Sequence, residues 1–181
     1  MAWEEAFLLY LQDSVRSDFF NPIMRFFSFL GNAGWFWILI CVVLIIYKPT
    51  RHIGIIASIS LILSAGICNV LLKNIINRTR PYVAIEELKL IAKMPHDSSF
   101  PSGHSNASFS TACAITWCLS RNKKWIGVIL IFVASIIAFS RLYVGAHYPT
   151  DVIAGIILGT LTSIIVYMIY RSKNNTLVEQ I

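Results

Sequence analysis

Acidic residues, and charged residues in general, are scarce in this chain. Of its 181 residues 13% are charged, nine acidic against fifteen basic, while 56% are hydrophobic. A composition this apolar argues against an ordinary soluble domain and is typical of a polytopic membrane protein. We therefore interpret the formal net charge of +6 as a topology signal and expect no binding of nucleic acid.

Metal-ligand patterns are also lacking. The cysteines Cys41, Cys68, Cys113 and Cys118 all fall inside apolar runs, and none has zinc-ligand spacing to a histidine or to a second cysteine pair. Cations such as Mg²⁺ and Ca²⁺ need clustered carboxylates, and the sequence shows no such cluster. We expect small buried thiols, and no residue pattern indicates a metal or a cofactor.

Two further features are missing. There is no basic start followed by an apolar core and a small-residue cleavage site, so we expect no cleavable signal peptide. The sequence also shows no internal repeat, low-complexity tract or inter-domain linker. The expectation is one compact domain that inserts through its own apolar segments.

Five long apolar runs dominate what is present. They cover residues 33–47, 53–72, 104–119, 125–140 and 152–170. As helices they measure about 22 to 30 Å, so the shorter ones need a flanking turn to cross a hydrocarbon core of about 30 Å. The predicted fold is all-α: a polytopic membrane helical bundle of about five transmembrane helices, with residues 33–171 as its core.

The segment before this core, residues 1–32, has a different pattern. Its first turns place Trp3, Phe7, Leu8 and Leu11 at helical spacing, opposite Glu4, Glu5 and Gln12. This pattern favours an amphipathic or short helix that lies in the membrane interface, and a sixth short or tilted span stays open as an alternative. Residues 172–181 are interpreted as a cytoplasmic tail.

The loops between the apolar runs predict the orientation in the membrane. One side would carry seven cations and one acid, and the other eight of each. The cations of the first side are Lys48, Arg51, Arg121, Lys123, Lys124, Arg171 and Lys173. The positive-inside rule places that side and the C-terminus in the cytoplasm and the N-terminus outside. Residues 82–100, the one long stretch outside the apolar runs, would form a lid or an interfacial helix on the outer side.

Three charged clusters lie against the apolar runs on the predicted outer side. Charged groups next to hydrocarbon are costly, so such groups predict a functional site. In the first cluster, Lys73 and Arg80 are seven residues apart and point the same way from a helix that Pro81 ends. A lysine point charge and a planar arginine fork suit phosphoryl oxygens. Either cation alone would be interpreted as interfacial, and Arg78, which lies off that face, is interpreted so.

The second cluster is the tetrapeptide Pro101-Ser102-Gly103-His104, directly before an apolar helix. Ser102 is a helix N-cap, and the free N–H groups beside it would attract an anion. Gly103 lets the backbone approach a ligand, and His104 supplies a proton donor. Alone, the tetrapeptide could equally be a plain capped helix start.

The third cluster comprises Arg141, His147 and Asp151. Asp151, in a first helical turn, could hold one ring nitrogen of His147 and leave the other free to attack. A lone aspartate there would more often stabilise the helix dipole. Spacing does not separate an imidazole nucleophile from an imidazole acid, but the adjacent Asp151 favours His147 as the nucleophile.

Together, Lys73-x6-Arg80-Pro81, Pro101-Ser102-Gly103-His104 and Ser140-Arg141-x5-His147-x3-Asp151 resemble the tripartite signature of the type 2 phosphatidic acid phosphatase family. Every signature position matches, and the family's helical core would cover roughly residues 20–170. The resemblance implies a metal-independent phosphatase in which His147 forms a phosphohistidine, Asp151 orients it and His104 protonates the leaving group. Lys73, Arg80, Ser102, Gly103 and Arg141 would bind the phosphoryl oxygens.

The resemblance also implies a lipid phosphate substrate in a bacterial-type plasma membrane. Undecaprenyl diphosphate, converted to undecaprenyl phosphate, is the favoured substrate, with phosphatidylglycerophosphate and phosphatidic acid as alternatives. No residue pattern addresses the lipid tail or the oligomeric state. A non-catalytic anionic-lipid transporter or flippase is the competing hypothesis, although a protein that only binds the headgroup would not need His104, His147 and Asp151 together.

Overall fold

Apolar runs at helical spacing fold here into a bundle of helices. The computed structural model describes residues 2–179, with side chains to residue 173, and contains no strand in that range. Its helices are α1 Ala2–Tyr10, α2 Phe20–Leu30, α3 Trp35–Ile46, α4 Arg51–Ala65, α5 Lys73–Ile76, α6 Pro81–Ala84, α7 Gly103–Cys118, α8 Lys124–Tyr143 and α9 Pro149–Glu179. A π-helical segment, Gly66–Leu72, joins α4 to α5. The predicted all-α class is confirmed.

Fewer helical stretches have by themselves the length and hydropathy of a membrane span than the five predicted. Three helical stretches are long and apolar enough to cross a bilayer: Lys48–Ala84, Arg121–Tyr143 and Pro149–Lys173. A fourth results if α2 and α3, which are bent by 51° to each other, form one broken span. These spans make the chain an integral membrane protein.

Helix α7, predicted as one of the five spans, is shorter than these stretches. It has 16 residues, about 24 Å, which is short for the hydrocarbon core. Ten of those residues are buried, among them Asn106 and four serines or threonines. The helix packs against α4, α8 and α9, so its neighbours and not lipid surround most of its surface. An inner helix needs neither the length nor the apolar surface of a lipid-facing span.

The bend between α2 and α3 lies at Gly31–Gly34, where the sequence predicted the start of the membrane core. Ala33 and Gly34 adopt left-handed backbone angles, with φ of 50° and 67°, which end one helix direction and begin another. A Cβ at Gly31 would collide with the His104 ring, so the chain passes directly beside that histidine.

The predicted division of the chain into residues 1–32, 33–171 and 172–181 stays a prediction. Residues 1, 180 and 181 lie outside the described part.

Close packing of α9 on α7 fixes the position of the third cluster relative to the second. A Cβ at Gly155 would lie 2.5 Å from the Ser102 carbonyl oxygen, and one at Gly159 would also meet the α7 backbone. The glycines therefore let the two helices approach closely. Elsewhere in the core, Trp37 is fully buried and donates its indole N–H to Ser108 Oγ at 2.8 Å.

The alternating helix directions bring the three clusters to one end of the bundle, called the site end below. The π-helical segment and α5 end there, α7 begins there, α8 ends there and α9 begins there. Residues 85–102 cover this end without a helix, so the lid alternative fits the structure better than an interfacial helix. Two main-chain hydrogen bonds attach residues 85–102 to the site end: Ile91 N donates to Val144 O at 3.2 Å, and Ser99 N donates to Arg78 O at 2.9 Å.

Candidate active site

A cavity of about 410 Å³ opens at the site end. Six of the eight residues predicted to form the site line it: Lys73, Arg80, Gly103, His104, Arg141 and His147. The same cavity has an apolar part that includes Ile38, Leu61, Ile62 and Ala65. The other two predicted residues, Ser102 and Asp151, are fully buried behind its wall.

The two cations of the first cluster converge on a carboxylate that sequence reasoning missed. The prediction that one helix carries both cations and ends at Pro81 is wrong, because α5 ends at Ile76, Asn77 has a left-handed φ of 43° and Pro81 begins α6. Lys73 and Arg80 are nevertheless both buried. Asp97 forms an ion pair with Lys73 through Oδ2, and its Oδ1 accepts from Arg80 Nη2 at 2.6 Å. Burial raises the pKa of Asp97, but the bonds and charges of the two cations outweigh that effect and lower it to about 2. The carboxylate is therefore ionised at ordinary pH.

Arg80 also determines the tautomer of His147. Arg80 Nη1 lies 3.2 Å from His147 Nε2. Because a guanidinium only donates hydrogen bonds, Nε2 accepts and the ring proton of the neutral imidazole lies on Nδ1. Burial, together with the charges of Arg141 and Arg80, lowers the pKa of His147 to about 3 although Asp151 opposes the shift. His147 therefore presents its unprotonated Nε2 next to Arg80, one of the cations predicted to bind phosphate.

Asp151 is held in place behind His147. Its Oδ2 accepts from Ser99 Oγ at 2.5 Å and from the Tyr148 main-chain N–H at 2.9 Å. His147 Nδ1 lies 3.5 Å from the same oxygen, a long contact, and makes no hydrogen bond in this structure. The aspartate is thus a fixed negative charge that the imidazole reaches by a small ring movement.

The interpretation of Arg78 as a plain interfacial cation is wrong. It donates to Asp151 Oδ1 at 2.6 Å and to Glu4 Oε2 at 2.7 Å, and its guanidinium lies 3.9 Å from the centre of the Tyr148 ring. Glu4, expected on the polar face of an amphipathic helix, is fully buried. Two buried carboxylates need a shared cation, and the sequence spacing of Glu4, Arg78 and Asp151 gives no sign of it.

Arg141 and His104 form the remaining polar wall. Arg141 donates to Ser28 Oγ, while its buried Nε has no hydrogen-bond partner. Within residues 2–173 it forms no ion pair with a carboxylate, in contrast to Lys73 and Arg80. His104 Nε2 lies 3.0 Å from Asn32 Oδ1. Ser28 and Asn32 belong to a segment that the sequence did not connect with the site.

The start of α7 brings the backbone at Gly103 to the cavity in addition to the His104 side chain. A Cβ at Gly103 would lie 3.1 Å from Asn69 Oδ1 and 3.9 Å from Lys73 Nζ, so glycine keeps this space open. Ser102 caps the helix: its Oγ accepts from Ser105 N at 3.4 Å and from Ser105 Oγ at 2.9 Å. A direct bond from the Ser102 hydroxyl to phosphate, as the resemblance implies, stays a prediction.

A second, polar cavity of about 370 Å³ lies on the other side of the Arg80–Asp97 pair. His96 lines this cavity and not the first one. Across the described residues, no three histidine, cysteine, aspartate or glutamate side chains are grouped so that they could hold a metal ion. Cys41, Cys68 and Cys113 are buried free thiols and Cys118 is partly buried.

The site as a whole has the components of phosphoryl transfer to nitrogen. Three cations and a helix N-terminus surround a space beside an unprotonated imidazole nitrogen, and a second imidazole faces the same space. Cations stabilise the charge that develops on phosphoryl oxygens during transfer. A carboxylate behind the first imidazole would stabilise the positive ring that forms when Nε2 bonds to phosphorus.

Comparisons with known proteins agree with this chemistry. Residues 54–175 match the family described as "PAP2 superfamily". An undecaprenyl-diphosphatase of Sulfolobus acidocaldarius is 34% identical over 160 residues, which are 88% of this chain and 75% of that protein. A lipid A 4'-phosphatase of Bacteroides thetaiotaomicron is 27% identical over 172 residues, 90% of this chain and 75% of that protein.

A solved structure extends the similarity to the fold. The transmembrane PAP2-type phosphatidylglycerolphosphate phosphatase of Bacillus subtilis superposes with a TM-score of 0.80 at 25% identity, covering 94% of this chain and 86% of that one. These relatives are phosphatases whose names give different lipid substrates. The chain is therefore an integral membrane lipid phosphatase that belongs to the PAP2 superfamily.

Proposed function

We propose that this phosphatase converts undecaprenyl diphosphate to undecaprenyl phosphate by way of a phosphohistidine on His147. The observation that carries the proposal is the cavity itself, where the unprotonated Nε2 of His147 lies beside Arg80 and an apolar wall continues from the same space. Lys73, Arg80, Gly103 and Arg141 would hold the terminal phosphoryl group there, with Ser102 supporting the helix start.

The proposed first step forms a bond from His147 Nε2 to phosphorus and breaks the bond from phosphorus to the leaving oxygen. The electron pair goes to that oxygen, which takes a proton from His104. Asp151 stabilises the positive imidazole ring through Nδ1–H. In the second step water attacks phosphorus and gives a proton to His104. The bond from phosphorus to Nε2 breaks, its electron pair returns to the ring, and inorganic phosphate is released from a neutral His147.

The position of the cavity supports a lipid tail on the substrate. Ile38 and Ile62 line the cavity and are 49% and 69% exposed on the apolar outer surface of the helices. The cavity therefore opens sideways toward the membrane, where a polyprenyl chain could remain in lipid. The similarity to the Sulfolobus acidocaldarius undecaprenyl-diphosphatase favours the diphosphate over phosphatidylglycerophosphate and phosphatidic acid.

We further propose that the site end faces the extracytoplasmic side of a bacterial-type plasma membrane. The cation surplus in the loops at the other end supports this orientation. Cysteines introduced at Lys48 and at Ser98 in intact cells would test it. Labelling of position 98 but not of position 48 by an impermeant thiol reagent is expected, and the reverse result would overturn the orientation.

The substrate and the absence of a metal requirement are tested together by phosphate release in detergent. We expect undecaprenyl diphosphate to have the highest kcat/KM in a panel with phosphatidylglycerophosphate and phosphatidic acid. We expect no loss with a chelator and inhibition by vanadate, which mimics five-coordinate phosphorus. A clear preference for phosphatidylglycerophosphate would make that lipid the proposed substrate instead. If none of the lipid phosphates released inorganic phosphate, the proposal would be contradicted.

A further inference from the structure

Asp97 occupies the position at which a phosphoryl group would meet the cations of the site. Its two carboxylate oxygens reach one cation each, Oδ2 with Lys73 and Oδ1 with Arg80 at 2.6 Å. A phosphoryl group would offer two of its oxygens to the same donors. The substrate and this side chain therefore cannot use Lys73 and Arg80 in the same way at the same time.

The main chain of Asp97 is anchored more firmly than its carboxylate. Arg80 Nε donates to the Asp97 carbonyl oxygen at 2.7 Å, and the Tyr82 hydroxyl donates to the Pro95 carbonyl oxygen at 2.5 Å. The side chain of Asp97, by contrast, is 53% exposed. Water can therefore solvate the displaced carboxylate, and a phosphoryl group can compensate the two buried cations in its place while the backbone of Asp97 keeps Arg80 oriented.

Space for the displaced carboxylate is present next to the site. Asp97 lines both the main cavity and the second, polar cavity on the other side of Arg80. A rotation of its side chain toward the second cavity would move it from protein donors to water. The displaced state thus requires no unfolding of residues 85–102.

We propose that Asp97 is an internal competitor of phosphate ligands. In the resting enzyme its carboxylate occupies the phosphate site, and this prevents weakly bound anions from filling the site. This inference rests on the proposed function, in which Lys73 and Arg80 bind the phosphoryl group. Membranes contain abundant anionic phosphodiester lipids with one charge on the phosphate. A permanently open site with three cations would hold such lipids, and inorganic phosphate would leave it slowly.

Competition of this kind has a quantitative consequence. If the site is free for only a fraction of the time, the apparent dissociation constant of every phosphate ligand rises by the inverse of that fraction. A carboxylate in place for nine-tenths of the time raises all such constants about tenfold. Tightly bound substrates still saturate the enzyme, whereas weakly bound diesters and product phosphate do not.

The test compares Asp97→Asn and Asp97→Ala with Glu86→Gln. Glu86 is exposed in the same segment, so its substitution makes the same charge change away from the site. Calorimetry on the full chain in detergent would measure the dissociation constant of inorganic phosphate. We expect a value about tenfold lower in both Asp97 variants, an equally lower KM for the lipid, and no gain in kcat. Glu86→Gln should match the wild type.

A purely structural role for Asp97 makes the opposite prediction. If Asp97 serves to position Lys73 and Arg80, its loss should weaken phosphate binding and lower kcat. Unchanged or weaker phosphate binding in Asp97 variants that melt like the wild type would overturn the proposal. This readout needs no turnover, so it is independent of the lipid panel that tests the proposed function.

A measurement on the wild-type chain covers the case in which the variants do not fold. A water-soluble carbodiimide with an amine modifies carboxylates, and mass spectrometry reports the extent at each position. Vanadate should increase modification of Asp97 severalfold, because the displaced carboxylate enters water, and leave Glu86 unchanged. Protection of Asp97 by vanadate, or no change in its modification, would overturn the proposal.

Discussion

The two ends of the helical bundle carry the same kinds of cation in opposite environments. At the site end, Lys73, Arg80 and Arg141 are at most 7% exposed. At the other end, called the loop end, Lys48, Arg51, Arg121 and Lys123 are exposed. Burial of a cation next to hydrocarbon is costly, so only the site end keeps charges in positions that need a function to explain them.

The partners of the cations differ as well. At the loop end, Arg51 and the neighbouring, partly buried Lys124 bind main-chain carbonyl groups: Arg51 Nε donates to Ile45 O at 3.1 Å, and Lys124 Nζ donates to Thr116 O at 2.5 Å. At the site end, Lys73 and Arg80 bind the carboxylate of Asp97, whereas Arg141 donates to the Ser28 hydroxyl. Carbonyl partners stabilise helix ends, whereas carboxylate partners compensate a charge that a substrate anion can also compensate. The comparison predicts large effects of substitution at one end and small effects at the other.

The largest effect is expected for Asp151→Asn. An amide cannot accept all the bonds that the carboxylate takes from Ser99, Tyr148 and Arg78, and it removes the charge behind His147. The corresponding change in other catalytic triads costs roughly 10⁴-fold, and we expect a loss of kcat of about 10³-fold or more. Stopped assays with excess enzyme would measure it, and a loss below about tenfold would contradict the orienting role.

A smaller loss with a shifted pH profile is expected for Arg80→Gln. Loss of one phosphate donor should cost about 10²-fold in kcat/KM. Arg80 is one of the charges that hold the pKa of His147 at about 3, so its removal raises that pKa. Since the protonated ring cannot attack, the acidic limb of kcat/KM should move to higher pH. An acidic limb at an unchanged pH, with the same substrate, would show that His147 does not set it.

Arg78→Lys should have a moderate effect on both activity and stability. Lysine keeps the charge but loses the fork that joins Glu4 and Asp151. We expect kcat to fall about tenfold and the melting temperature in detergent to drop by several degrees, because two buried carboxylates lose part of their compensation. If the variant had the kcat and melting temperature of the wild type, Arg78 would be an interfacial cation without a role at the site.

The smallest effect is expected at the loop end, for Lys123→Gln. Lys123 is exposed, and exposed substitutions away from special features usually change stability by less than about 0.5 kcal/mol. Activity in detergent should stay within about twofold of the wild type. A larger loss would break the contrast between the two ends.

The sequence predicted the parts of the site that lie within short distances along the chain. The helix start at Ser102–Gly103 is such a local pattern, and His147 and Asp151 lie within 3.5 Å of each other. Lys73 and Arg80 line one cavity as predicted, although not by way of the continuous helix that their spacing predicted. The all-α class followed from apolar runs alone. Hydropathy did not reveal that α7, one of the five predicted spans, is an inner helix surrounded by other helices.

Partners from distant segments could not be predicted. Glu4 meets Arg78 across 74 residues, and Ser28 meets Arg141 across 113. Nothing in the local pattern of Glu4 distinguishes a buried carboxylate from one on the polar face of an interfacial helix. Asp97 was also missed, because a single acid in an irregular segment has no periodicity to indicate which cations it will contact.

Trapping of the phosphoenzyme tests the central claim most directly. Wild-type enzyme and the variants His147→Ala and His104→Ala would be mixed with a phosphate-labelled substrate that has a good leaving group, quenched in alkali and mapped by mass spectrometry. We expect label on the His147 ring in the wild type, accumulation of the same label in His104→Ala, and none in His147→Ala. Label on any other residue, or substantial turnover by His147→Ala, would contradict the account.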